Sequence, residues 1–300
     1  MSDDMREVDD HSGTETTGHE WDGIKELDTP LPKWWLWTFY VSIAWALIYA
    51  VVMPAWPYFG PDGWDYTKGL LGYSQRDVVA ADIADVEAGR ADIRGRIAKA
   101  DYATILGNAE LLQFAVGSGG AAFGDNCAGC HGQGAQGFKG FPNLNDDDWL
   151  WGGAIEDIEY TIRHGVRWDA DLDTRFSMMP RFLADGLLTR DEVGDVTQYV
   201  LSLSGTPRDA EAASRGRKIF QEQCAACHGE QGQGDVFQGA PNLSDAIWLY
   251  GGDEETIFET VSNARYGVMP AWGGRLNDET IKELAVYVYS LGGGELAGQP

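Results

Sequence analysis

From Trp34 to Met53 the chain runs for twenty residues, WWLWTFYVSIAWALIYAVVM, without one charged side chain. A helix of that length, at about 1.5 Å per residue, matches a hydrocarbon core of about 30 Å. Trp34, Trp35 and Trp37 at one end, and Trp56 and Tyr58 at the other, resemble interfacial aromatic belts, and Lys33 stands at the edge. The run is too long for the apolar part of a cleaved signal, a long acidic region precedes it, and no Ala-x-Ala site follows. A buried helix of a soluble protein rarely lacks charge on every face. The pattern therefore predicts one membrane anchor over 34–56, with residues 1–33, polar and lacking apolar periodicity, as a mostly irregular arm.

Pro54, Pro57, Gly60, Pro61 and Gly63 then break the helix and turn the chain along the membrane surface. Residues 77–105 regain a helical period, with Val79, Ile83, Val86, Ile93 and Ile97 set among many charges. That narrow stripe packs either on its own domain, the commoner outcome, or on another subunit. Residues 57–105 are thus read as a connector.

From about Leu106 the chain repeats itself. Cys127-Ala128-Gly129-Cys130-His131 returns 97 residues later as Cys224-Ala225-Ala226-Cys227-His228, and Phe123 falls on Phe220. The offset becomes 99 from Pro142-Asn143-Leu144 to Pro241-Asn242-Leu243, and from Trp149-Leu150-Trp151-Gly152-Gly153 to Trp248-Leu249-Tyr250-Gly251-Gly252. Met179-Pro180 aligns with Met269-Pro270, and Tyr199-Val200 with Tyr287-Val288. Punctuation repeated over such a length means two copies of one domain. Gly205, Thr206 and Pro207 mark the boundary, giving copies at 106–204 and 205–300. Each copy reads as a helix carrying the Cys motif into a Gly-rich loop, two middle helices, and a closing helix. Thr189 with Glu192 predicts a capping box for the first closing helix, and Asn277 caps the second.

The two motifs use all four cysteines, so no thiol remains for a disulfide or a zinc site. Two thiols three positions apart on one turn can each add to a vinyl group of a haem, while the adjacent His meets the iron. A redox dithiol would need a βαβ setting that neither copy has. The expected cofactors are two covalently bound haem c groups, attached through Cys127 and Cys130, and through Cys224 and Cys227, with His131 and His228 as axial ligands. The fold expected is all-α, one transmembrane helix followed by two tandem class I-like cytochrome c domains. Each is small enough that the haem must supply much of its core.

For the sixth iron position the repeat singles out Met179 and Met269, each followed by a Pro that rigidifies the loop, since thioether ligation raises the potential. Met178 remains an alternative to Met179. Each Met is assigned to the haem of its own copy, although packed copies could exchange these loops. His164, aligned with Tyr266, is read as a hydrogen-bonding residue near the haem rim in preference to a ligand. His11 and His19 lie in the arm and are assigned no role.

The chain carries 47 acidic and 22 basic residues, a net charge of −25. Such a surface repels nucleic acid and steers basic protein partners, unless the acidity serves solubility alone. Haem c attachment occurs outside the bacterial cytoplasm, which predicts a single-pass inner-membrane protein with a cytoplasmic N-terminus and periplasmic haem domains.

Gly18-His19-Glu20-Trp21-Asp22-Gly23-Ile24, Glu26-Leu27 and Pro30-Leu31-Pro32 before Trp34-Trp35 closely resemble subunit III of bacterial cbb3-type cytochrome c oxidases, the CcoP/FixP family. Gly69-Leu70-Leu71-Gly72-Tyr73-Ser74 and both haem domains extend the resemblance over nearly the whole chain. It implies a dihaem electron carrier, without catalysis of its own, passing electrons from soluble cytochrome c toward the monohaem subunit and the haem–copper catalytic subunit, with a small subunit in the complex. The stretch Arg167–Ser177, absent from copy two, departs from the internal repeat. A free-standing membrane-anchored shuttle and a dihaem redox enzyme are the alternatives; the enzyme would need an open iron position, whereas both copies offer a Met-Pro.

Overall fold

The computed structural model describes residues 6–294; Met1, Met5 and the end of copy two lie outside the described residues. The chain forms two units, divided at Gly89.

In the first unit the arm is more ordered than the sequence predicts. β1 (Thr16–Trp21) pairs antiparallel with β2 (Ile24–Leu27) around a turn at Asp22-Gly23, where both residues take positive φ. Such a turn favours Asp-Gly, and its few residues leave too little periodicity to reveal the strands. Helix α1 (Lys33–Val52) follows, none of its side chains buried against protein. It is long and apolar enough to cross a membrane and anchors the chain there. A second hairpin, β3 (Pro57–Gly60) with β4 (Gly63–Tyr66), occupies the Pro/Gly segment. Leu70 and Leu71 then donate backbone hydrogen bonds to the last carbonyls of α1, at Val51 and Val52 (both 3.1 Å). The protein is thus mostly helical, with two small hairpins.

Helix α2 (Gln75–Lys99) divides the connector's apolar stripe. Val79, Ile83 and Val86 are exposed, whereas Ile93 and Ile97 enter the core of the second unit. Its last turn is capped by Lys282, whose ammonium donates to the carbonyls of Ala98 (3.2 Å) and Ala100 (2.8 Å), a cation at the negative end of a helix.

The second unit is built from paired elements. A short helix α3 (Tyr102–Gly107) leads into copy one, which contributes α4 (Ala109–Asn126), α5 (Ala128–His131), α6 (Ile155–His164) and α7 (Arg190–Ser204). Copy two contributes α8 (Ala210–Gln223), α9 (Ala225–His228), α10 (Glu254–Asn263) and α11 (Asp278–Ser290). One middle helix per copy stands where the sequence predicts two; the Gly- and Asp-rich segments on either side form turns. The caps are matched: Asn108 Oδ1 accepts from the amides of Glu110 and Leu111, and Asp209 Oδ1 from those of Glu211 and Ala212. The capping box Thr189–Glu192 and the Asn277 cap both form as predicted.

The closing helices are exchanged. Helix α11, from copy two, packs on α4 and α6 of copy one, while α7, from copy one, packs on α8 and α10 of copy two. One core joins Leu111, Ala115 and Phe123 to Ile281, Leu284 and Val288; the other joins Val193, Val196 and Val200 to Phe220, Ile257 and Val261. The packed bodies are therefore mixtures of the two sequence copies.

Candidate haem-binding sites

Cys127 ends α4 and begins α5, and the single turn that follows sets the motif. The amides of Cys130 and His131 donate to the Cys127 carbonyl at 3.0 and 2.9 Å, and Gly132, at φ +83°, releases the chain. The second motif repeats this, with Cys227 and His228 donating to the Cys224 carbonyl at 3.1 and 3.0 Å and Gly229 at φ +78°. On one turn the two sulfurs and the imidazole share a side of the backbone.

Cys127 and Cys224 are half-buried, Cys130 and Cys227 are exposed, and none is in a disulfide. Burial pushes the Cys127 thiol up to about 11 and the Cys224 thiol up to about 12. A reactive dithiol has a lowered thiol pKa, and the shift at Cys127 and Cys224 runs the other way. Burial also holds His131 and His228 below the ordinary histidine range, despite a hydrogen bond to each ring. His131 Nδ1–H donates to the Pro142 carbonyl at 3.2 Å, and His228 Nδ1–H to that of Pro241 at 3.0 Å. A carbonyl can only accept, which fixes a proton on Nδ1, and burial disfavours a second proton on the ring, so Nε2 is the nitrogen left for a metal. This donor set fits a c-type haem at each motif: two thiols outside any disulfide, one turn apart, beside an oriented imidazole.

The Met loops follow the exchanged helices. After Met269, the amides of Trp272 and Gly273 donate to the carbonyls of Ile162 and Arg163, at the end of α6, at 3.1 and 3.0 Å. After Met179, those of Phe182 and Leu183 donate to Val261 and Ser262, at the end of α10, at 3.2 and 3.3 Å. Met269 packs in the core that holds Cys127, Phe123 and Trp149, and Met179 in the core that holds Cys224, Phe220 and Trp248. The assignment of each Met to its own copy is thereby corrected. Both copies carry the same order of helices, and sequence alone does not say which closing half packs on which. Met178 is exposed while Met179 is half-buried against the second core.

His164 Nδ1 lies 3.2 Å from Asp171 Oδ2, and its ring rests 4.5 Å from that of Tyr160. The helix ends place it opposite Asn263, not Tyr266, since α6 and α10 both stop there and Gly165 and Ala264 follow at φ +69° and +56°. Sequence reasoning missed the carbonyls of Pro142 and Pro241 as tautomer-setting groups. Their repetition was the available signal, but a backbone oxygen has no signature in a string of side chains.

The described geometry agrees with the comparisons. Residues 13–60 match the family model for the N-terminal domain of cytochrome oxidase-cbb3, FixP; residues 116–204 match that for cytochrome c; and residues 211–288 match that for cytochrome C oxidase, cbb3-type, subunit III. The cbb3-type cytochrome c oxidase subunit CcoP of Azospirillum sp. (strain B510) is 53% identical over 295 residues, 96% of this chain and 98% of its own length. Subunit FixP of Bradyrhizobium sp. (strain ORS 278) is 54% identical over 293 residues, 97% of this chain and 99% of its own. Subunit CcoP of Cereibacter sphaeroides is 52% identical over 280 residues, 93% of this chain and 95% of its own. With two cytochrome c domains behind a membrane anchor, and half its residues shared with full-length relatives, the chain belongs to the CcoP/FixP family of cbb3-type cytochrome c oxidase subunits.

Proposed function

We propose that this chain is the membrane-anchored dihaem electron-transfer subunit of a cbb3-type cytochrome c oxidase. The observation that carries the reading is the duplicated site: an imidazole, half-buried at His131 and buried at His228, oriented by a proline carbonyl, two thiols outside any disulfide on the same turn, and a Met-Pro loop packed into the same core. When bound, each haem supplies a one-electron ferric/ferrous couple. The protein's part is to attach it through Cys127 and Cys130 or Cys224 and Cys227, and to present one imidazole and one thioether. Because the loops are exchanged, His131 pairs with Met269 and His228 with Met179.

A soft sixth ligand in both sites leaves no open position for substrate, so catalysis belongs to another subunit and this chain relays electrons. Its partners are the haem–copper catalytic subunit, the monohaem cytochrome subunit, a small subunit and a soluble cytochrome c donor. The donor is steered by the net charge of −25. The chain crosses the bacterial inner membrane once, N-terminus in the cytoplasm and haem domains in the periplasm.

Gentle detergent extraction of the tagged full chain tests the reading. Haem b and copper are expected to accompany two haem c per polypeptide. A chain that purifies alone, with two haem c and no copper, would instead be a free-standing shuttle.

A further inference from the structure

Arg167 opens the stretch found only in copy one, and it stands between the two Met loops. Its Nε donates to the carbonyl of Gly267 at 2.7 Å, and its Nη1 to the carbonyl of Ser177 at 3.2 Å. Gly267 lies two residues before Met269, and Ser177 two residues before Met179. The same corner is tied twice more: Val166 and Met269 exchange backbone hydrogen bonds of 2.9 and 3.0 Å, and the Tyr266 hydroxyl donates to the Met179 carbonyl at 2.6 Å. One guanidinium fork thus spans both loops, a geometry that a rigid planar donor provides and a flexible ammonium does not.

Its setting is unusual in other ways. Arg167 is half-buried, yet among the described residues no carboxylate lies within ion-pair distance of it. Its backbone sits at φ +52°, a region long side chains seldom adopt, and from there the side chain reaches the two carbonyls. Strain of this kind persists where the surroundings over-determine it. A half-buried cation without a counter-charge disfavours any further positive charge nearby, and an oxidised iron carries one more than a reduced iron.

We propose that Arg167 is a positioning residue for both haem irons: it clasps the two methionine loops to each other, and its charge, paired with no carboxylate among the described residues, raises both reduction potentials. The inference rests on Met179 and Met269 being the axial ligands.

The test is a spectroelectrochemical titration of the full holoprotein in detergent, following each midpoint and the absorbance that arises from methionine bound to ferric iron. Arg167→Gln is expected to lower both midpoints and weaken that absorbance at both haems. Arg167→Lys, which keeps the charge but loses the fork, is expected to lie between Gln and wild type at both. A Gln variant with either haem unchanged overturns the proposal. If the Gln variant does not retain two haems, a Lys variant indistinguishable from wild type at either haem overturns it. Met179→Ala and Met269→Ala separate the two levels of inference. If neither removes the methionine absorbance, the ligand assignment fails; if each removes it from one haem while Arg167→Gln changes neither, only the role of Arg167 fails.

Discussion

Gly119 and Glu283 cross so closely that a Cβ on the glycine would stand 2.2 Å from the glutamate's carbonyl oxygen. The contact joins α4 of copy one to α11 of copy two, and it has a twin: a Cβ on Gly216 would stand 2.0 Å from the carbonyl of Asp195, joining α8 to α7. Beside each crossing two rings pack, Phe123 with Tyr287 at 5.3 Å and Phe220 with Tyr199 at 5.1 Å. Backbone cannot yield to a new methyl as a side-chain tip can. Gly119→Ala and Gly216→Ala should therefore each force a pair of helices apart, costing at least about 1–3 kcal/mol as overpacking. Thermal denaturation followed by haem absorbance checks this; a midpoint within error of wild type for either variant would contradict the crossing.

Exchange of the Met loops makes a prediction with crossed signs. In a Cys224→Ala/Cys227→Ala background only the haem proposed at Cys127 and Cys130 should remain attached. There Met269→Ala should abolish the methionine–iron absorbance and lower the midpoint, and Met179→Ala should leave both in place. The opposite result would mean that each Met serves its own copy.

A chain ending at Ser204 retains Cys127, Cys130 and His131, the residues proposed to hold the first haem, but lacks α11, which closes that core with Ile281, Leu284 and Val288. It should bind little haem and expose apolar surface. A soluble tandem beginning near Arg90 should hold two. Haem counted per polypeptide distinguishes the cases, and one full haem in the shorter chain would argue against the exchange.

Burial, and then the neighbouring charges of Asp245, Asp146 and Asp147, push Asp148 up to about 6. A carboxyl raised above its unfolded value near 4 disfavours the folded state once ionised, so stability should fall as pH rises from about 4 through 6. Since the residue is half-exposed, the effect is on the order of 1–2 kcal/mol. Asp245→Asn should flatten that slope and raise the thermal midpoint at pH 7. Melting curves at pH 4, 5, 6 and 7 provide the check.

The sequence by itself determined the anchor, the two motifs and the repeat. An uncharged run of twenty residues has few other readings, and covalent haem attachment needs two thiols and a histidine at one spacing, which a string of letters displays directly. The caps Thr189 and Asn277 were legible because capping is local. The hairpins Thr16–Leu27 and Pro57–Tyr66 were not, because two strands of four to six residues leave no period to count. Tertiary structure decided what depends on non-local choice. Helices α7 and α11 close copies with the same order of helices, so only packing could show that they cross. Packing likewise brought Arg167 against both Met loops and set the tautomers of His131 and His228 through the carbonyls of Pro142 and Pro241. Those bonds fall on backbone oxygens, which every residue possesses and no sequence marks.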